Sequence, residues 1–152
     1  MSIATTTHLN FHGDARAALE FYRTVFGGEI TIATYGDFGM PAEAPGASHV
    51  VFGQVESADG FRVMAYDIPG GAAATAGTTT RENGVTHTDQ SFFVSVRGDG
   101  LDEVEGYWSA LSVGATVIEP LAASAWSPGF GMLTDAFGVT WILDVAAGRP
   151  TA

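Results

Sequence analysis

At 152 residues, 46% of them hydrophobic, the chain has the length of one domain, enough to bury roughly two-thirds of its unfolded surface without staples. Seventeen acids against six bases give a formal charge of −11, which repels phosphate backbones and anionic membranes, so neither nucleic acid nor a membrane is an expected partner. The absence of cysteine removes disulfides, thiolate metal sites and a cysteine nucleophile together.

Thr5 to Phe11 alternates as a half-buried strand does, with Leu9 and Phe11 on one face and His8 and Asn10 on the other. Asp14 is a suitable helix N-cap. Ala18, Leu19, Tyr22, Val25 and Phe26 then recur at helical spacing until Gly27-Gly28 stops the run. Glu29 to Tyr35 reads as a second strand, and residues 36–46, which carry Pro41 and Pro45, read as a loop. Ser48 to Val55 and Phe61 to Ile68 are expected to pair as a hairpin across residues 56–60.

Residues 69–84 are rich in Gly, Ala and Thr and show no apolar periodicity. With the residues up to 89 they read as a flexible linker. A strand from Ser91 to Val96 and a helix from Leu101 to about Val113 follow, then a short strand from Ala115 to Ile118. The last pair, Gly131 to Thr134 and Val139 to Val145, turns on Asp135-Ala136-Phe137-Gly138. No apolar stretch reaches the roughly 18 residues of a membrane span, and MSIATTTHLNF has no charged segment followed by an apolar run, so a cytoplasmic protein is expected.

The order of elements occurs twice. Phe11-His12-Gly13-Asp14 is echoed by Val96-Arg97-Gly98-Asp99, 85 residues on (12 to 97). Phe21-Tyr22 falls on Tyr107-Trp108 at 86 (21 to 107), and Tyr66-Asp67-Ile68 on Leu143-Asp144-Val145 at 77 (67 to 144). Such a duplication predicts two copies of one supersecondary unit, with function at the seam between them.

The segments FYRTVFGGEI, MAYD, QSFFVSV and FGMLTDAFGVTWILDV resemble the vicinal oxygen chelate superfamily, the glyoxalase, bleomycin-resistance and extradiol-dioxygenase group. Within it they resemble the PhnB-like branch, often labelled 3-demethylubiquinone 3-methyltransferase-like. The resemblance implies an α+β fold in which two βαβββ modules form a curled, barrel-like mixed sheet around a cavity, with helices outside. A single domain, 1–152, would contain modules at about 5–68 and 90–146 joined by the linker 69–89, often in a homodimer.

The resemblance also implies a divalent metal held by His and Glu. Carried over by the helix and loop landmarks, the four ligand positions fall on Thr7 or His8, Met64, Ser91 and Ile142. Counting back from Phe21-Tyr22 selects Thr7. Alternation selects His8, and is preferred because a histidine pressed under an apolar helix would be costly. One histidine with Met64, Ser91 and Ile142 is no hard-cation site, so no cofactor is expected.

Two further histidine sets are weaker. His8 and His12 lie about 13 Å apart on a strand, and His87 with Asp89 is read as a solvated loop. His49 is the candidate acid or base. Trp126 and Phe130 flank a glycine-rich turn and suit a planar or apolar ligand. There is no GxSxG, GxxxxGK[ST] or strand-linked GxGxxG motif, and no glycine-rich turn to cradle S-adenosylmethionine.

The expectation is therefore a small-molecule-binding protein without the superfamily's metal. His8, Asn10, His49 and Ser91 would make polar contacts, and Met64, Trp126, Phe130 and Ile142 would form apolar walls. The charge of −11 favours a cationic ligand, as for the bleomycin-resistance members. The alternative is a lyase, isomerase or dioxygenase-type enzyme whose metal ligands are displaced from these positions.

Overall fold

The computed structural model describes residues 2–70 and 77–147, which divide into two compact units, Met1–Thr75 and Ala76–Ala152. In the first unit, β1 (Thr7–Phe11) leads into α1 (Ala15–Phe26), followed by β2 (Glu29–Thr34), β3 (Val50–Glu56) and β4 (Arg62–Asp67). The four strands lie in the order β1-β4-β3-β2, with β1 parallel to β4 and the other pairs antiparallel. This is the expected βαβββ order.

The second unit opens with a two-stranded hairpin, β5 (Thr79–Glu82) and β6 (Val85–Thr88). It then repeats the order with β7 (Val94–Gly98), α2 (Leu101–Leu111), β8 (Thr116–Ala122), β9 (Phe130–Thr134) and β10 (Thr140–Val145). Its sheet runs β7-β10-β9-β8, again with one parallel pair, β7 and β10. The protein is α+β, with two βαβββ modules, and each four-stranded sheet is mixed and open rather than closed on itself.

The helix face of each sheet follows from strand alternation. In the first unit Leu9, Val55, Val63 and Ala65 are buried with Ala15, Ala18, Leu19, Tyr22 and Phe26 of α1. Each large apolar side chain removed from water stabilises by about 1.5–3 kcal/mol. Gly53 of β3 is where the helix comes closest: a Cβ there would collide with Leu19 and stand 3.0 Å from the Ala65 carbonyl oxygen. In the second unit a Cβ at Gly131 would stand 2.7 Å from Trp108 of α2. Val104, Leu111, Leu133, Trp141 and Leu143 are fully buried there.

The two glycines correct the repeat. Gly53 and Gly131 are 78 apart, and their strand partners Ala65 and Leu143 are also 78 apart (53 to 131, 65 to 143). The echo of Tyr66-Asp67-Ile68 in Leu143-Asp144-Val145 at 77 is thus out of step by one residue, and one residue turns every side chain to the other face. Asp67 points to the helix side, whereas Asp144 lies on the opposite side, paired bidentately with Arg97 at 2.8 and 3.0 Å.

Asp67 replaces the expected cap. Asp14 makes no side-chain capping bond. Instead, one oxygen of Asp67 accepts from the Gly13 and Ala15 N–H groups at 2.7 and 3.0 Å, and the other accepts from Val50 N–H at 2.9 Å. A buried carboxylate 54 residues downstream of Gly13 therefore ties the start of α1 to the start of β3 and the end of β4. Asp135 plays the corresponding local part in the second unit, accepting from Phe137 N–H, Val139 N–H and the Trp141 indole at 2.8 to 3.0 Å.

Two other readings change. Thr79–Thr88 lies inside the stretch read as a linker, yet it is paired β structure. Its turn is Asn83-Gly84, with φ of 52° and 76°, the left-handed pair that a tight two-residue hairpin requires. The threonines flanking it are β-branched and suit strands without supplying apolar periodicity. The strand expected from Ser91 to Val96 runs instead from Val94 to Gly98, leaving Ser91 outside it.

Two substitutions test this architecture by urea unfolding. Asp67→Asn puts an amide donor among three N–H donors and should cost about 2–3 kcal/mol. Gly53→Ala should cost about 1–3 kcal/mol by forcing α1 off the sheet. Loss of less than about 0.5 kcal/mol in either variant would contradict the assigned role.

Candidate functional site

With one face of each sheet taken by its helix, the other face carries the alternate side chains. In the first unit the register sets His8 beside Met64, Met64 beside Gln54, and Gln54 beside Thr31. Asn10 and Tyr66 form the next pair. His8 Nδ1 and Asn10 Oδ1 are 3.1 Å apart, and the His8 and Tyr66 rings meet edge to face at 5.2 Å. Thr7 is paired with the fully buried Val63 on the helix side, and His8 lies on the other face of the strand.

His49 is not part of this row. It precedes β3, donating its N–H to Gly46 O at 3.0 Å and accepting from Tyr35 N–H at 3.1 Å. Its half-buried imidazole packs against Gly13 and Gly46, beyond the end of β1. Tyr35 donates its hydroxyl to the Asp67 carbonyl at 2.6 Å, and burial followed by the nearby Tyr66 and Asp67 holds its phenol above the ordinary value of 10.0.

In the second unit the corresponding row runs Ser95, Ile142, Met132, Glu119. The β7 residue beside Ile142 is thus Ser95, while Ser91 is exposed in the irregular stretch before the strand. In the next row Arg97, Asp144 and Phe130 lie side by side. The hydrogen-bonded pair with Asp144 raises the Arg97 guanidinium further above its usual range. Trp126, 54% exposed, meets Phe130 edge to face at 5.3 Å.

Arg81 of β5 covers this face. Its guanidinium lies 4.9 Å from the Phe130 ring centroid, and Thr86 of β6 points at the Met132 sulfur at 3.7 Å.

The structure therefore groups His8, Asn10 and Met64 in one unit and Trp126, Phe130 and Ile142 in the other. Tyr66, Gln54, Ser95 and Arg81 were missed. Strand alternation pointed to Tyr66 and Gln54, the strand boundary hid Ser95, and the Asn83-Gly84 pair was the available signal for the hairpin that carries Arg81.

The donor set does not fit the superfamily's divalent ion. In the first unit His8 has a thioether beside it, and in the second Ser95 has a hydrocarbon, where a hard cation needs several oxygen or nitrogen donors. Among the described residues no three His, Asp or Glu side chains gather where they could hold one ion. His87 stands exposed on β6, and Asp89 accepts from Thr78 N–H at 2.7 Å. A separate cleft of about 230 Å³ lies between Ala4-Thr5 and the β3–β4 turn, where Arg62 and Glu56 neutralise each other at 2.6 Å. It contains none of the residues above.

The chain is similar to known proteins over nearly its whole length. Protein YjdN of Escherichia coli (strain K12) is 22% identical over 157 residues, covering 95% of this chain and 96% of that protein. Protein PA1353 of Pseudomonas aeruginosa superposes with a TM-score of 0.74 at 25% identity, over 95% of this chain and 98% of the other. The PhnB protein of Bacillus cereus superposes at 0.69 with 23% identity, over 95% and 100%. The family model for the Glyoxalase/Bleomycin resistance protein/Dioxygenase superfamily matches residues 7–143, from the first strand of one module into the last strand of the other. With the duplicated βαβββ order, this match shows that the chain belongs to that superfamily.

Proposed function

We propose that this protein binds a small organic molecule on the sheet faces its helices leave uncovered, without the superfamily's divalent metal. The observation that carries the reading is the pair of rows His8-Met64-Gln54 and Ser95-Ile142-Met132, which present one imidazole, an amide and a hydroxyl among apolar side chains. A surface of mostly apolar area with a few placed polar groups suits an organic ligand. His8 and Asn10 supply polar contacts, and Met64, Phe130, Trp126 and Ile142 supply apolar walls. Ser95, rather than Ser91, makes the polar contact beside Ile142, and His49 supports the turn into α1. The protein acts in the cytoplasm as a homodimer.

Native mass spectrometry of tag-free protein tests this reading in one experiment. It should show a dimer carrying a small-molecule adduct and no stoichiometric metal. Stoichiometric Mn, Fe, Ni or Zn that His8→Ala abolishes would contradict it. Because His8 is exposed, His8→Ala should leave stability within about 0.5 kcal/mol of wild type, so lost binding in that variant would report on the site rather than the fold.

The charge of −11 draws cations during encounter, and a cationic compound is the ligand it favours. Titration with a cationic glycopeptide should then give saturable heat that weakens as salt is raised. No heat at low or moderate salt would remove the cationic reading.

A further inference from the structure

The hairpin β5–β6 covers a sheet face bearing Phe130, Met132 and Ile142, yet the side chains it turns towards that face are polar. Arg81 is nine-tenths buried there, its side chain only 10% exposed. One nitrogen, Nη1, donates to Thr86 Oγ1 at 2.7 Å. Nε is buried and meets no acceptor among the described residues. Glu119 Oε2 is 3.7 Å from it, close enough to balance charge but too far to accept a hydrogen bond.

The other guanidinium of this face shows the contrast. Arg97 is largely exposed and is held by both oxygens of Asp144. An arginine that is buried, lies over an aromatic ring and keeps an unmet Nε donor, with only a loose ion pair to Glu119, is poised to take a better-placed anion. The planar guanidinium fork matches a carboxylate in particular. Phe130 below it, and Trp126 at the exposed rim, offer ring faces to the rest of a planar molecule.

We propose that the β5–β6 hairpin and the second sheet, which are packed together here, part to take a small planar carboxylate, anchored by Arg81 and flanked by Phe130 and Trp126. This rests on the small-molecule reading above and specifies the acidic group such a ligand places in the second unit. The net charge governs encounter, whereas contact groups govern what is held. Glu119 guards the site by occupying the guanidinium loosely when no ligand is bound. The hairpin has only two strands of four residues and is hydrogen-bonded as a separate sheet, so it can lift from the second sheet without breaking a strand ladder.

Isothermal titration with benzoate, and with benzamide as its uncharged counterpart of the same shape, tests the site. Benzoate should bind saturably and at least tenfold more tightly than benzamide. Arg81→Gln, checked for native circular dichroism, should weaken benzoate at least tenfold, and Glu119→Gln should tighten it severalfold by removing the competing carboxylate.

Equal affinity for benzoate and benzamide, or unchanged benzoate affinity in Arg81→Gln, would overturn the proposal. If Arg81→Gln does not fold, the wild-type comparison and Glu119→Gln decide alone, and benzoate binding that is unchanged or weaker in Glu119→Gln overturns it. Failure here with a small-molecule adduct still present in native mass spectra would sink the carboxylate site and leave the binding function standing.

Discussion

A glycine in the third strand of each module sets how close the helix can come to its sheet. Leu19 sits over Gly53, and Trp108 over Gly131, at separations that no Cβ would allow. Close approach is what lets a four-stranded sheet bury one whole face under a single helix of 11 or 12 residues. The remaining face of each sheet then carries the other side chains in register, and in the second unit the β5–β6 hairpin lies over it.

That division of labour explains where charge and polarity are spent. On the helix side the buried acids are fully used: Asp67 accepts three N–H groups, and Asp135 accepts two N–H groups and an indole. They hold turns and helix starts, so they are structural. On the open side polar groups are left with capacity. His8 lies beside Met64, Asn10 and the edge of Tyr66, and Arg81 has a buried Nε without an acceptor among the described residues. Unmet polar capacity beside apolar side chains is what supports the proposal of a binding surface there.

Much of this was legible in the sequence, for reasons that differ by element. Alternation in Thr7–Phe11 correctly sent His8 and Asn10 away from the helix, because the two-residue period leaves no intermediate choice. The helices were legible from their spacing and glycine stops. The Asp67 cap was not, since its partners lie 52 and 54 residues away and no local pattern links them. Asp14 stood where a cap should stand and was outcompeted by tertiary structure.

The hairpin at 79–88 escaped because its inward side chains are Arg and Thr, so no apolar period exists to detect. Only Asn83-Gly84 marked it. The one-residue error in the 77-residue echo came from matching Asp67 with Asp144, two acids of different role on opposite faces. What remained hidden in the sequence is that Arg81, a polar residue on that hairpin, is buried against Phe130.

The methionines allow the central claim to be read directly. Met64 lies on the face of the first sheet away from α1, and Met132, fully buried, on the face of the second sheet that the β5–β6 hairpin covers, while Met40 lies outside all the strands. With methyl-¹³C-labelled methionine, NMR spectra recorded against a library of small organic molecules should show binders shifting the Met64 or Met132 methyl signal and leaving Met40 in place. Binders that shift Met40 while both Met64 and Met132 stay fixed would contradict the assignment of the open faces as the binding surfaces.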